Sequence, residues 1–366
     1  MDELSPAPAW LLTAMTGGGT VDALPAAREA ACAALTPAEH GALLPVALRT
    51  LTGAPRTDRD LVVWYTAPAR LVARQVTDIP TQPWFDAASL AELFTALAER
   101  GDPKGLWWAA AALARSEERA PQAVAPPGLV RDAGVLVRAA LATGAEHLAP
   151  AFAVAAVAGG GAEAELVGRL RDRRPTAQGW EEALALLLAL GPAERAVLAE
   201  QRRAAFRHTP WPPLRAPGPQ PGRWSHPRLA RALLTAAAER LRALHAGEVP
   251  YVSDRALTAE EVVWVGWAVR CALRDGQPWA GELLASVLPR LVVAPTRART
   301  APSQSGAVAL AQAVEAHPGP EAVAALREAV DVVRHAGLAK KLAGTLRRAE
   351  RALGHKPARR TAATPT

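Results

Sequence analysis

Apolar residues recur along this chain at three- and four-residue spacing, which puts them on one side of an α-helix. Leu229, Leu233, Leu234, Leu241 and Leu244 make one such stripe, with Arg228, Arg231, Glu239, Arg240 and Arg242 mostly off it. Leu90, Leu93, Phe94 and Leu97 make another. Ala, Leu, Arg and Glu, all strong helix formers, fill most segments. The two-residue alternation of a half-buried strand is rare, and Val62-Val63 and Val292-Val293 are too short to argue for a sheet.

Start and stop signals agree with that pattern. Thr36-Pro37-Ala38-Glu39 combines a capping box with proline at the first helical position, and Thr258-Ala259-Glu260-Glu261 is a second capping box. Asp58, Asp86 and Asp102 each precede an apolar-periodic segment and can cap it. Gly53, Gly101, Gly191, Gly247 and Gly276 mark ends. These marks divide the chain into about sixteen helices. They fall near 3–15, 22–35, 37–52, 58–76, 86–100, 102–117, 126–142, 149–158, 162–172, 178–190, 192–207, 226–246, 258–275, 278–293, 303–316 and 318–353. The last is expected to be two helices, broken near Gly337.

Short helices joined by short turns, two in roughly 35–45 residues, predict stacked helical pairs. No strict period and no tetratricopeptide or ankyrin signature emerges. HEAT-like repeats tolerate this irregularity, because each pair buries its stripe only against its neighbours. The expected fold is all-α: an irregular HEAT-like helical repeat array, or α-solenoid, in two blocks. A compact irregular all-α domain is the alternative. His208 to His226 holds six prolines, cannot be helical, and reads as a linker between blocks 1–207 and 227–353. Trp211 and Trp224 are expected to pin its ends. The tail, 354–366, reads as disordered and basic.

Composition narrows the class. Half of the residues are apolar, which excludes wholesale disorder. Cys32 and Cys271 lie too far apart in sequence for a disulfide framework or a metal motif, and read as buried thiols in a reducing cytoplasm. The run Leu148 to Ala162 is too short to span a membrane and is interrupted by Pro150 and Gly159–Gly161. Met1-Asp2-Glu3 lacks the positive start of an export signal, so no membrane partner is expected.

The net charge of +7 is unevenly placed. Arg334 to Arg360 holds nine basic residues and one acid, Glu350. Lys340, Lys341, Arg347, Arg348 and Arg351 oppose Leu338, Leu342, Leu346 and Leu353, the pattern of a basic amphipathic helix. With Arg334 they form the expected polyanion-binding set, and nucleic-acid phosphates are the partner that such a set would take.

No catalytic constellation stands out. The eight histidines show no pair at three- to five-residue spacing. There is no HExxH, CxxC, EF-hand loop or GxSxG, and Gly17-Gly18-Gly19-Thr20 lacks the lysine of a phosphate loop. No catalytic, cofactor-binding or metal-ligating residue is therefore assigned, and no cofactor is expected. Tryptophan is enriched: eleven, against two tyrosines and four phenylalanines. Trp264 and Trp267 share a helix face. Core packing explains them, and so would a groove in which Trp264, Trp267, Arg270 and Arg274 anchor a protein partner.

Residues 322–346, reading Ala-Val-Ala-Ala-Leu-Arg-Glu-Ala-Val-Asp-Val-Val-Arg-His-Ala-Gly-Leu-Ala-Lys-Lys-Leu-Ala-Gly-Thr-Leu, resemble a recurring segment of the bacterial DUF4132 proteins. There, a helix ending in a basic–His pair precedes a Leu-basic-basic-Leu helix. Ser305 to Leu310 and the Trp264-Val-Gly-Trp267-Ala268 helix resemble the two helices that come before it. The resemblance implies a helical, HEAT-like region and carries no catalytic residues. This chain departs from the family by ending where the family's C-terminal domain would start. The expectation is a cytoplasmic, non-catalytic scaffold that binds a protein partner. A nucleic-acid module acting through the basic C-terminal segment is the alternative. An enzyme of the helical-repeat DNA glycosylase type ranks third.

Overall fold

Ala- and Leu-rich segments fold as helices throughout the residues described by the computed structural model: 6–16, 30–53, 69, 72, 83–101, 105–116, 126–142, 148–173, 178–192, 194–199 and 226–354. The proline-rich stretch 208–225, the tail 355–366, Gly17–Thr20 and the caps at Asp58 and Asp102 lie outside them. The fold is all-α. No strand occurs among the described residues, where Phe85 and Ser116 form an isolated parallel bridge.

Two compact units emerge, Met1–Arg174 with Leu190–Arg203, and Pro175–Ala189 with Ala204–Thr366. In the first, the principal helices are α1 (Pro6–Thr16), α2 (Pro37–Gly53), α3 (Ala87–Arg100), α4 (Gly105–Ala114), α5 (Pro127–Ala142), α6 (Leu148–Ala158) and α7 (Gly160–Arg173). The capping signals act as their chemistry requires. The Thr36 N–H donates to Glu39 Oε2 at 2.8 Å and Thr36 Oγ1 accepts the Glu39 N–H at 3.3 Å. Asp86 Oδ1 accepts the Ser89 N–H at 2.7 Å. Gly101 closes α3 in the left-handed region, with φ 63°.

Packing in this unit joins second neighbours as well as adjacent helices: α3 with α5, α4 with α6, α5 with α7. Apolar burial is nearly all-round in α4, where Leu106 and Ala109 to Leu113 are buried. Two buried polar side chains, Asp132 and Arg195, are paired across helices. Thr95 Oγ1 donates to the buried Asp132 carboxylate at 2.7 Å, joining α3 to α5. Arg195, 4 % exposed, donates to Glu163 at 2.5 Å and to the carbonyls of Leu190 and Phe152. The apolar run at 148–162 is therefore not one segment. It breaks at Gly159, where φ is +88°, into α6 and α7. No described helix is long and apolar enough to cross a membrane.

The second unit contains α8 (Gln178–Leu188), α9 (Pro227–His245), α10 (Ala259–Arg274), α11 (Ala280–Val292), α12 (Gln304–Ala316), α13 (Pro320–Val332) and α14 (Ala336–Gly354). Helix α8 packs on α9. From α9 onward each helix packs on the next but one: α9 on α11 on α13, and α10 on α12 on α14. Within each row the helices run the same way. His245 Nε2 near the end of α9 bonds the Arg290 carbonyl near the end of α11 at 3.0 Å. Gly281 and Glu321, in the first turns of α11 and α13, approach so closely that a Cβ at 281 would lie 2.5 Å from that of Glu321. In the other row, Asp254 Oδ1 accepts the Gln304 N–H at 2.7 Å and Gly266 abuts Ala309.

The break between α13 and α14 falls at Val333–His335, close to Gly337. Its cause is an imidazole cap: His335 Nδ1 accepts the Leu338 N–H at 3.1 Å, and Gly337 sits inside the first turn.

Candidate functional site

The row α10, α12, α14 leaves a groove of about 590 Å³ between its helices. One stripe of each helix lines it. Helix α10 supplies Val262, Val263, Gly266 and Arg270, α12 supplies Ser305, Val308, Ala309 and Gln312, and α14 supplies Leu338 and Lys341. The local sequence explains the hollow. A Cβ added to Gly266 would stand 3.5 Å from that of Ala309, so the two helix backbones approach closely here. The volume lies within the roughly 300–1,000 Å³ typical of ligand sites.

Three basic side chains line this aliphatic trough. Arg270 is half-buried and has no hydrogen-bond or ion-pair partner among the described residues, and burial lowers the pKa of its guanidinium. Lys341 is exposed and likewise unpaired through its side chain. His335 lines the same groove. Its Nδ1 is spent on Leu338, so the ring carries its proton on Nε2, as a donor. The one carboxylate on the lining, Asp254, is engaged by the Gln304 N–H.

The sequence-derived anchors divide. Trp264 and Trp267 are core residues, 6 % and 0 % exposed, with ring centroids 5.9 Å apart in a T-shaped pair. Their indoles are spent on packing and offer no surface to a partner, which corrects the expectation of aromatic anchors. Arg274 pairs with Asp275 at 2.8 Å, at the helix end. Of those four positions, Arg270 alone lines the groove.

The basic set divides too. Arg334 donates to the Thr296 carbonyl at 3.0 Å, and Arg348 grips Glu315. Arg351 donates to the Arg347 carbonyl at 3.3 Å. Lys341 turns into the groove. Lys340 and Arg347 are left exposed without an acidic partner among the described residues.

No cluster of three or more metal-ligating side chains occurs among the described residues. The thiols are buried, and burial raises Cys32 to about 11 and Cys271 further, so neither is a thiolate nucleophile at neutral pH. Sequence reasoning missed His335, Gln312 and Asp254 as groove residues. The readable signal was the stripe of small residues at Ala259 and Gly266 on α10 and at Ser305 and Ala309 on α12.

Comparison with known proteins finds no match: no family model, no curated sequence and no solved structure.

Proposed function

We propose that this chain is a non-catalytic, HEAT-like helical scaffold that docks a protein partner in the groove across α10, α12 and α14. The observation that carries it is that groove itself, an unfilled aliphatic trough shared by three helices of one parallel row, with an unpaired arginine in it. Second-neighbour packing of like-directed helices is how helical-repeat arrays stack, and such rows bind along an exposed stripe. The resemblance of 322–346 to the helical region of DUF4132 proteins agrees with that architecture. A cytoplasmic setting goes with two free, buried thiols.

A nucleic-acid module is the second reading, favoured by the exposed Lys340 and Arg347, which have no acidic partner among the described residues, while Arg348 is paired with Glu315.

Affinity purification of the full chain against its Ser305→Trp variant tests the scaffold. Ser305 is an exposed groove residue, and an indole there fills the trough without entering the core. The expected result is a stoichiometric protein partner on the wild type that is lost from the variant at unchanged helicity. Bait recovered alone, or the same proteins on both, overturns the proposal.

A further inference from the structure

Resting on that scaffold reading, the groove's chemistry goes further and selects its occupant. Val263 and Val308 present aliphatic surface over the buried Val262 and Leu338, and the lining has no Trp, Tyr or Phe ring on which a base could stack. Beside them, Arg270 has lost part of its hydration and gained no counter-charge among the described residues. A guanidinium in that position gains more from a carboxylate than a fully solvated one does, because the pair forms at a lower local dielectric. Lys341 and the Nε2–H of His335 add donors to the same lining. Asp254, the one carboxylate on the lining, accepts the Gln304 N–H and forms no ion pair with any of the three among the described residues. The chain's own basic tail, with Lys356, Arg359 and Arg360, is of the wrong sign to fill the site.

We propose that the groove binds an acidic peptide segment of a partner protein, with an Asp or Glu carboxylate on Arg270 and flanking aliphatic side chains against Val263 and Val308. Three helices at about 8–10 Å spacing give a trough roughly 16–20 Å across, the length of about five or six extended residues. The carboxylate fixes register and orientation, and the aliphatic neighbours supply the buried area.

The test is selection of a random dodecapeptide phage library on the full chain. Enriched peptides are then synthesised and titrated by fluorescence anisotropy against wild type, Arg270→Met, Lys341→Met and Ser305→Trp, each checked for unchanged helicity. Methionine keeps an apolar stem at 270 while removing the charge, and the exposed Lys341 gives a second variant with little risk to folding. The expected result is enrichment of sequences with Asp or Glu beside Leu, Ile or Val. Affinity should fall about tenfold or more in Arg270→Met, and binding should be lost in Ser305→Trp. Peptides that are neutral or basic, or acidic peptides that Arg270→Met and Lys341→Met bind as wild type does, overturn the acidic assignment. If those same peptides still need an open groove, by the Ser305→Trp criterion, the scaffold reading survives that failure. Peptides indifferent to Ser305→Trp remove the groove as the docking surface and both readings with it. A dT12 oligonucleotide that binds with the same dependence on Arg270 overturns the proposal in favour of a polynucleotide.

Discussion

Arg348 on α14 lays its guanidinium across the Glu315 carboxylate of α12, with Nε at 2.5 Å and Nη2 at 2.9 Å from its two oxygens. This forked geometry is the strong form of an ion pair, and it raises the Arg348 pKa. It also takes one member of the basic cluster out of use for an outside anion. Arg334 gives one N–H to the Thr296 carbonyl, which orients the side chain and leaves its charge in place.

The consequence is measurable on a heparin column. Replacing Arg347 by Ala is expected to lower the eluting salt concentration more than replacing Arg348. Free cations release condensed counterions from the polyanion, and cations already held by the protein contribute less. Equal shifts for the two variants would show that the Arg348–Glu315 pair does not persist in solution.

Arg195 is expected to be the most sensitive polar residue of the first unit. Its side chain is buried, donating to Glu163 and to two carbonyls, those of Leu190 and Phe152. Truncation to Met strands these acceptors and leaves a partly buried carboxylate uncompensated, which costs about 3–5 kcal/mol. Urea unfolding of Arg195→Met measures it. A loss below about 1 kcal/mol would mean that water replaces the arginine there.

Most helix ends were legible in the sequence because capping is local chemistry. Thr36, Asp86 and Thr258 each satisfy an orphan N–H three residues on, as their side chains and spacing require. The His335 cap was not legible, because an imidazole caps only when its tautomer leaves Nδ1 bare, and composition does not reveal that. The site was half legible for a related reason. Three-residue spacing put Trp264 and Trp267 on one face, and periodicity does not say whether that face looks inward or outward. The adjoining Gly266–Ala309 approach created the hollow, and that depends on which helices become neighbours. Partition between units is likewise a matter of packing: α8 precedes the proline-rich stretch yet packs on α9.

The capping box of α10 gives a smaller, cleaner test. The Thr258 N–H donates to Glu261 Oε2 at 2.6 Å and Thr258 Oγ1 accepts the Glu261 N–H at 3.2 Å. Thr258→Ala removes one half of the box and is expected to cost about 1 kcal/mol in denaturant unfolding. Thr258→Ser keeps the oxygen and is expected to restore most of that loss. A serine variant as weak as the alanine one would show that the threonine methyl, and not the cap, carries the effect.

The last expectation concerns acid sensitivity. His40 is fully buried on α2, and its Nε2 donates to the Val72 carbonyl at 2.8 Å, while Nδ1 has no partner. A bare Nδ1 is tolerable on a neutral ring, whereas protonation would bury a charge and an unmet N–H together. Burial therefore holds the imidazole below its ordinary value of 6.5, with the Val72 bond opposing in part. When the folded pKa lies below the unfolded one, the unfolded chain binds the extra proton first. The stabilisation from a neutral His40 is then fully present above about pH 6.5 and declines as pH falls toward the folded pKa, by at most about 1.4 kcal/mol per pH unit. Urea midpoints measured from pH 7.5 down to pH 5 should fall for the wild type. His40→Gln, which keeps a donor for Val72 but does not titrate, should lower stability at pH 7.5 and flatten the slope. An unchanged slope in that variant would assign the acid sensitivity to other groups.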